Sequence, residues 1–488
     1  MNRRTHSLFY RFSAWVKQAF ALLFQSNRSA LSLWIESLWL AGLYLGGGVI
    51  WSFFLNWGRL GFDLHDWTQE GPRYAFLRQA LLENRFPLHI GTSLVSTERF
   101  LAIPDTIISP QILLLRFIEP GTFVWVNTLF LYSLGFLGLL LLRRKFNWSP
   151  ITCTVVFALF SLNGHPMVHV AVGHSMWISY FLLPYFAYLV FNLLDGQNGW
   201  KWVTQMALLQ FAFYLQGGFH FVNWSLMFLV LLGIFSIRHL EPILKALLFS
   251  VLLSMPRILP AAIEFNGLKR GFISGYFSIT DLFNAFTALK APEEVRSWYS
   301  ALGWWEVDAY IGLLGFVFLV VFGVWMTWKA ADAGELAYGS ILMPSLVMVV
   351  LSIGKIYQPI TLIPLPLVSV ERVSSRFVIL PVVMLLFLGG VQLERFLRSR
   401  TWDFQVHLAG LMLVGVMGHD LLQHARLWRV ENMNLLFDRT PVEISADVLI
   451  RSDPTYFTAL LVGLGVAALT LIFLVYKIHR QRPSLLHS

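Results

Sequence analysis

The sequence predicts an all-α membrane protein, a polytopic bundle of about 12–13 spans, each needing roughly 20 apolar residues to cross a ~30 Å hydrocarbon core. Three observations predict it. Of 488 residues, 57% are hydrophobic and 13% charged, about half the charge of a soluble domain, and the mean hydropathy is +0.64. The apolar residues come in blocks of about 18 or more, the length of a membrane span. Several of the 19 tryptophans (Trp34, Trp57, Trp148, Trp202, Trp402) stand at block edges, where an indole anchors in the membrane–water interface.

In chain order the blocks lie near 33–57, 121–142, 150–170, 175–194, 202–218, 220–237, 243–262, 309–328, 339–354, 377–393, 405–423 and 456–476. A weaker block at 101–118 is a thirteenth or a re-entrant segment. The first block is long and has no small-residue cleavage site, so it reads as a retained span. The expected organisation is a cytoplasmic segment 1–32, a transmembrane domain 33–476 and a cytoplasmic tail 477–488. Neither a tandem repeat nor an inverted pair of broken helices is evident.

Orientation follows from charge. Arg3, Arg4, Arg11, Lys17 and Arg28 precede the first block. Arg143–Arg144–Lys145, Arg238 with Lys245, Lys329, Arg395, Arg398, Arg400, Lys477, Arg480 and Arg482 fall on the same side if spans alternate. Short basic loops are cytoplasmic, so both termini are expected on the cytoplasmic side of the cell's inner (cytoplasmic) membrane. The long loops 58–120, 263–308, 355–376 and 424–455 then lie on the external, periplasmic face, which is where chemistry is expected. The net charge of +9 fits this asymmetry and anionic lipid headgroups. No basic tract or stacking motif points to nucleic acid. The single cysteine, Cys153, can form no internal disulfide.

Polar residues cluster in the external loops. Asp63, His65 and Asp66 follow the first span; a carboxylate there can act as a general base, or the segment is a solvated turn. From Arg73 to Arg85, Tyr74, Leu77, Leu81 and Leu82 share one helical face, which predicts an amphipathic helix in the interface, roofing a cavity. His165, His169 and His174 lie at the external end of two spans. The first two, four apart, can share a metal or be interfacial polar residues. Glu264, Lys269 and Arg270 open one loop; Lys355, Glu371, Arg372 and Arg376 close another. Arginine suits a lipid phosphate, although scattered arginines also snorkel to headgroups.

The order of these motifs resembles the YfhO-type branch of the GT-C-fold membrane glycosyltransferases. The matching stretches are Asp63 with Glu83-Asn84-Arg85-Phe86-Pro87-Leu88-His89; Gly173-His174 with Pro184; Gln216-Gly217-Gly218; Leu259-Pro260-Ala261-Ala262-Ile263-Glu264 with Arg270; Glu306-Val307-Asp308-Ala309-Tyr310-Ile311-Gly312; and Arg372-Val373-Ser374-Ser375-Arg376-Phe377. His89 stands where an aromatic residue is usual and Ser374 where proline is usual. The resemblance, over about residues 33 to 395, implies a GT-C-like bundle that takes a sugar from a polyprenyl-phosphate donor. The acceptor would be a lipid, glycan or protein. Asp63 would be the base, with Asp66 the alternative, and Arg372, Arg376 and Arg270 would hold the donor phosphate. His65, Glu264, His174 and Glu306 would face substrate. No cofactor follows with certainty from the resemblance, and a divalent metal is left open. Two rivals stand beside this reading: a transporter or flippase of lipid-linked sugars, and a non-catalytic envelope-assembly protein. Membrane-embedded carboxylates would favour the transporter, and Glu36 is nearly alone among the spans.

Overall fold

In the computed structural model the described residues are 14, 17, 22–24, 30–266, 271–297, 302–335, 337–363, 371–399, 402–441 and 444–480. The chain is a helical, multi-pass membrane protein. Among the described residues, eight helices are long and apolar enough to span a membrane: Leu33–Phe54, Pro120–Phe146, Pro150–Ala171, Ser175–Leu194, Gly312–Asp332, Ser374–Arg398, Phe404–Leu427 and Pro454–Arg480. A ninth is the pair Ile237–Leu253 and Met255–Glu264, bent by 68°.

This count is below the 12–13 expected because several apolar blocks form shorter helices. The blocks near 202–218, 220–237 and 339–354 become Trp200–Leu215, Phe219–Phe235 and Leu342–Leu351. The 101–118 block forms only the short 3₁₀ turns Phe100–Ala102 and Pro110–Arg116. The strands Ile90–Gly91 and Asp447–Val448 pair antiparallel.

Helix ends follow local chemistry. Asn147, left-handed at φ 50°, ends Pro120–Phe146 behind Arg143, Arg144 and Lys145, cations that favour a helix C-terminus. Ser149 then caps the next helix by accepting from Thr152 N, with Pro150 at the first position, the usual start signal. Glu394 completes this corner. Its Oε2 accepts from Ser149 N at 2.7 Å and from the hydroxyls of Ser149 and Thr152, both at 2.8 Å, while Arg398 holds Oε1 at 2.9 Å.

Burial separates core helices from lipid-facing ones. The apolar window of Pro150–Ala171 is 100% buried and that of Leu33–Phe54 only 6%. Pro150–Ala171, Ser175–Leu194 and Ser374–Arg398 form the centre; Leu33–Phe54, Phe404–Leu427 and Pro454–Arg480 present leucine, valine and phenylalanine outward, as hydrocarbon permits. Glu36, on the first of these outer helices, is paired with Arg143.

The long loops meet at the end of the bundle opposite Arg143 and Glu394. Arg99 joins Asp453 at 2.7 Å and Glu264 at 2.9 Å; Thr440 N donates to the Asp63 carbonyl at 2.8 Å; Ser274 bridges to Val373. The first loop carries a helix, Trp67–Leu82, six residues earlier than expected. Its inner face is buried through Glu70, Arg73, Tyr74, Phe76 and Leu77, while Thr68, Ala75, Gln79 and Leu82 lie on a more open face. Arg73 tolerates burial because Glu70 at 2.6 Å and Asp105 at 3.2 Å neutralise it.

Replacing Glu394 by leucine strips acceptors from three buried donors, each costing about 1–3 kcal/mol if left unpaired. Thermal unfolding in detergent is expected to show a clear drop in midpoint, with Glu394→Gln, whose amide oxygen still accepts, closer to wild type. Equal midpoints for all three proteins would contradict this account of the corner.

Candidate functional site

The site is a cavity of about 330 Å³ where the loops converge, lined by Asp66, Gln69, Glu70, Arg73, Ser96, Ile103, Pro104, Asp105, Gly173, His174, Met176, Phe219, His220, Phe265, Glu371, Arg372 and Arg376. Asp66 stands directly before the Trp67–Leu82 helix. The backbone leading to it is unusual, since Phe62 and His65 have φ 51° and 46°. Non-glycine residues seldom adopt such angles, and they concentrate at functional sites.

Two glycines let the walls close. Gly173 has φ +110°, and a Cβ there would lie 2.2 Å from Trp67 N and 2.6 Å from the Asp66 carbonyl carbon. Only glycine lets the 173–174 turn approach closely enough for His174 Nε2 to reach Asp66 Oδ2 at 2.6 Å. Gly217 has φ +73°, and a Cβ there would meet the Asp105 carbonyl oxygen at 2.4 Å; the turn it makes delivers His220 to the start of Phe219–Phe235.

Two runs of polar contacts border the cavity. His174 Nδ1 lies 2.8 Å from His169 Nδ1, and the His169 ring stacks on Trp177 at 3.7 Å between centroids. Arg376 holds both oxygens of Glu306, each at 2.7 Å, in a bidentate pair. It also meets His220 Nε2 at 3.2 Å. His220 Nδ1 lies 2.8 Å from Glu371 Oε2, which also accepts from Trp224 Nε1 at 3.1 Å.

The electrostatics follow from these contacts. Burial pushes the Asp66 carboxyl up, but the hydrogen bond and charge of His174 outweigh it and hold the group down at about 2. Burial opposes ionisation of Glu371 too, and its bonds to His220 and the charge of Arg376 bring it down to about 2. Glu306 is lowered by Arg376 against its own burial. Glu70 goes the other way, raised by desolvation and by the neighbouring Asp105 despite Arg73.

Of the expected residues, the structure gathers Asp66, His174, Glu306, Arg372 and Arg376 in or directly against the cavity. Asp63 lies outside it: Oδ2 pairs with Arg439 at 2.6 Å, and its carbonyl anchors the 440 segment. His65 packs between Phe437 and Trp305, with Nδ1 3.2 Å from the Val172 carbonyl and 3.6 Å from Asp66, and supports the turn. Glu264 is spent on Arg99. Arg270 is outside the described residues, as is Lys269. His220, Glu70, Arg73, Asp105 and Glu371 complete the wall. The signal for His220 was its place two residues after the Gly217-Gly218 break; the signal for Glu70 and Arg73 was their i, i+3 spacing.

A metal fits one part of the chain. Ligand atoms of His169, His174 and Glu306 lie within 4.8 Å of one another. The buried His169 Nε2 has no hydrogen-bond partner and lies 3.9 Å from Glu306 Oε2, too far to bond and near the spacing of two ligands on one ion. The expected His165–His169 pair is not this set. His165 Nδ1 is 2.6 Å from the Asp308 carbonyl.

Compared with family models, curated proteins and solved structures, the chain matches none.

Asp66 and Glu371 have folded-state pKa values near 2, below the roughly 3.9 and 4.3 of free side chains. Their stabilisation is therefore complete above about pH 4.3 and lost as pH falls through about 2. Glu371→Gln is expected to flatten the acid limb of a thermal-stability profile recorded from pH 5 to 2, with about 3 kcal/mol at stake. An unaltered limb would show that Glu371 is not ionised in the folded protein.

Proposed function

We propose that this chain is a membrane glycosyltransferase that takes a sugar from a polyprenyl-phosphate donor. The observation that carries the reading is one cavity holding the Asp66–His174 pair and, around the same wall, Arg372 and Arg376. Such an arrangement suits a displacement in which a hydroxyl loses a proton on one side while a phosphate departs on the other. The motif order resembling GT-C enzymes supports it, as does the bundle architecture. The basic residues at the far end of the bundle favour a cytoplasmic position for that end, which puts the cavity on the external face.

Asp66 is the base in this reading, in preference to Asp63. It is ionised at neutral pH and oriented by His174, so it accepts the acceptor's proton as the new C–O bond makes that hydroxyl acidic. Arg372 and Arg376 favour the charge developing on the departing phosphate, which is electrostatic stabilisation by groups already in place. A divalent cation held by His169, His174 and Glu306 would supply Lewis-acid polarisation of a phosphate oxygen. Asp63, through Arg439 and Thr440, holds the 429–441 segment against the first loop.

Transfer from radiolabelled polyprenyl-phosphate sugars in native membranes tests the assignment. Asp66→Asn is expected to lose about 10²–10⁴-fold in rate, the usual worth of a general base, at unchanged protein level, whereas Asp63→Asn loses far less. Substrate movement across proteoliposomes without bond cleavage would replace this reading with a transporter.

A further inference from the structure

We propose that the cavity takes up an anionic phosphodiester together with a proton, and that His220 carries the proton. The inference rests on the phosphate-site reading above and adds a residue and a charge state to it.

The argument begins with which atom donates. A guanidinium has only N–H donors, so in the 3.2 Å contact with Arg376 Nη1 it is His220 Nε2 that accepts. The ring proton then sits on Nδ1 and is donated to Glu371 Oε2 at 2.8 Å. In this pair of contacts the tautomer is set by the two neighbours, Nε2 accepting and Nδ1 donating. Its ring is anchored between Phe219 and Trp224, with centroids at 3.9 and 5.5 Å.

Protonating Nε2 in the empty cavity would set two cations face to face at 3.2 Å, so Arg376 opposes it. An anion changes the balance. A phosphate entering beside Arg372, which lines the same cavity, accepts from Arg376 and from a protonated Nε2 at once, while Glu371 stays behind Nδ1 as counter-charge. Charge-assisted bonds of this kind are the strong ones. The remaining charged groups near the ring are Asp105, which also favours the cation, and the His169–His174 pair across the chain. A monoanion that arrives with one proton adds no net charge to a closed network of ion pairs.

The test uses the full chain in detergent with two phosphodiesters that remain monoanions between about pH 5.5 and 8.5: dihexyl phosphate, a lipid mimic, and dimethyl phosphate, the group alone. Binding is measured by calorimetry across that range. Wild-type affinity is expected to strengthen as pH falls, approaching tenfold per unit, the slope of one linked proton. His220→Gln keeps a donor and an acceptor but no titration, and should bind without pH dependence across the range. Glu371→Gln, a second variant, should move the wild-type transition to lower pH. Binding of both probes assigns recognition to the phosphate group; binding of dihexyl phosphate alone assigns it to a lipid-linked phosphate. A pH-independent wild type, an unchanged slope in His220→Gln, or no binding of either probe overturns the proposal. Because neither probe carries a sugar, a failure to transfer sugar leaves this result standing, and flat binding leaves the transfer reaction open.

Discussion

The bidentate pair between Arg376 and Glu306 is the interaction on which the rest of the site depends. It joins the start of a central helix, Ser374–Arg398, to the loop that ends at Glu306, inside a bundle whose other contents are overwhelmingly apolar. A buried ion left without its partner costs roughly 3–5 kcal/mol, so each charge that enters this region constrains where another loop must go. Glu306 fixes Arg376, Arg376 receives His220, and His220 meets Glu371. On the opposite wall Arg73 ties Glu70 to Asp105 by the same logic. The loops converge at one end of the bundle because their charges have no cheaper partners.

This closure has a chemical consequence. Many of the hydrogen-bonding groups around the cavity already have partners, so a ligand must offer a better partner than the one it displaces. Asp66 retains an oxygen beyond the His174 bond, and His169 retains a buried, unpartnered nitrogen. Asp66 and His174 line the cavity wall, and His169 is in contact with His174. The left-handed backbone at Phe62 and His65, with the close glycine approach at Gly173, holds that wall rigid. Catalytic constellations gain from such preorganisation.

Much of the fold was legible in the chain. Each expected apolar block except 101–118 corresponds to a helix or, at 243–262, to a bent helix pair, and Asn147, Ser149 and Pro150 mark a helix end and a helix start by familiar capping chemistry. Less legible was how far each helix runs. Hydropathy measures apolar length, and it does not register a bend inside a block, such as the one between Leu253 and Met255. The helix after Asp66 was read as interfacial because its charges alternate with apolar residues. Its burial depends on Asp105, more than twenty residues away, and no local pattern reports such a partner.

The site was legible in part. Asp66, His174, Glu306, Arg372 and Arg376 stood out as polar residues at the mouths of spans, whereas Asp63 and Asp66 were indistinguishable by spacing alone. The sequence by itself determined that this is a multi-pass helical membrane protein with its polar chemistry gathered in a few long loops, because hydrophobic block length and residue type are properties of the chain. Only the tertiary structure decided which carboxylate enters the cavity, which arginine is already committed, and that His220 belongs with them. Those outcomes rest on charge pairing between loops far apart in sequence, and pairing energies are set by distances of a few ångströms that exist only once the helices have packed.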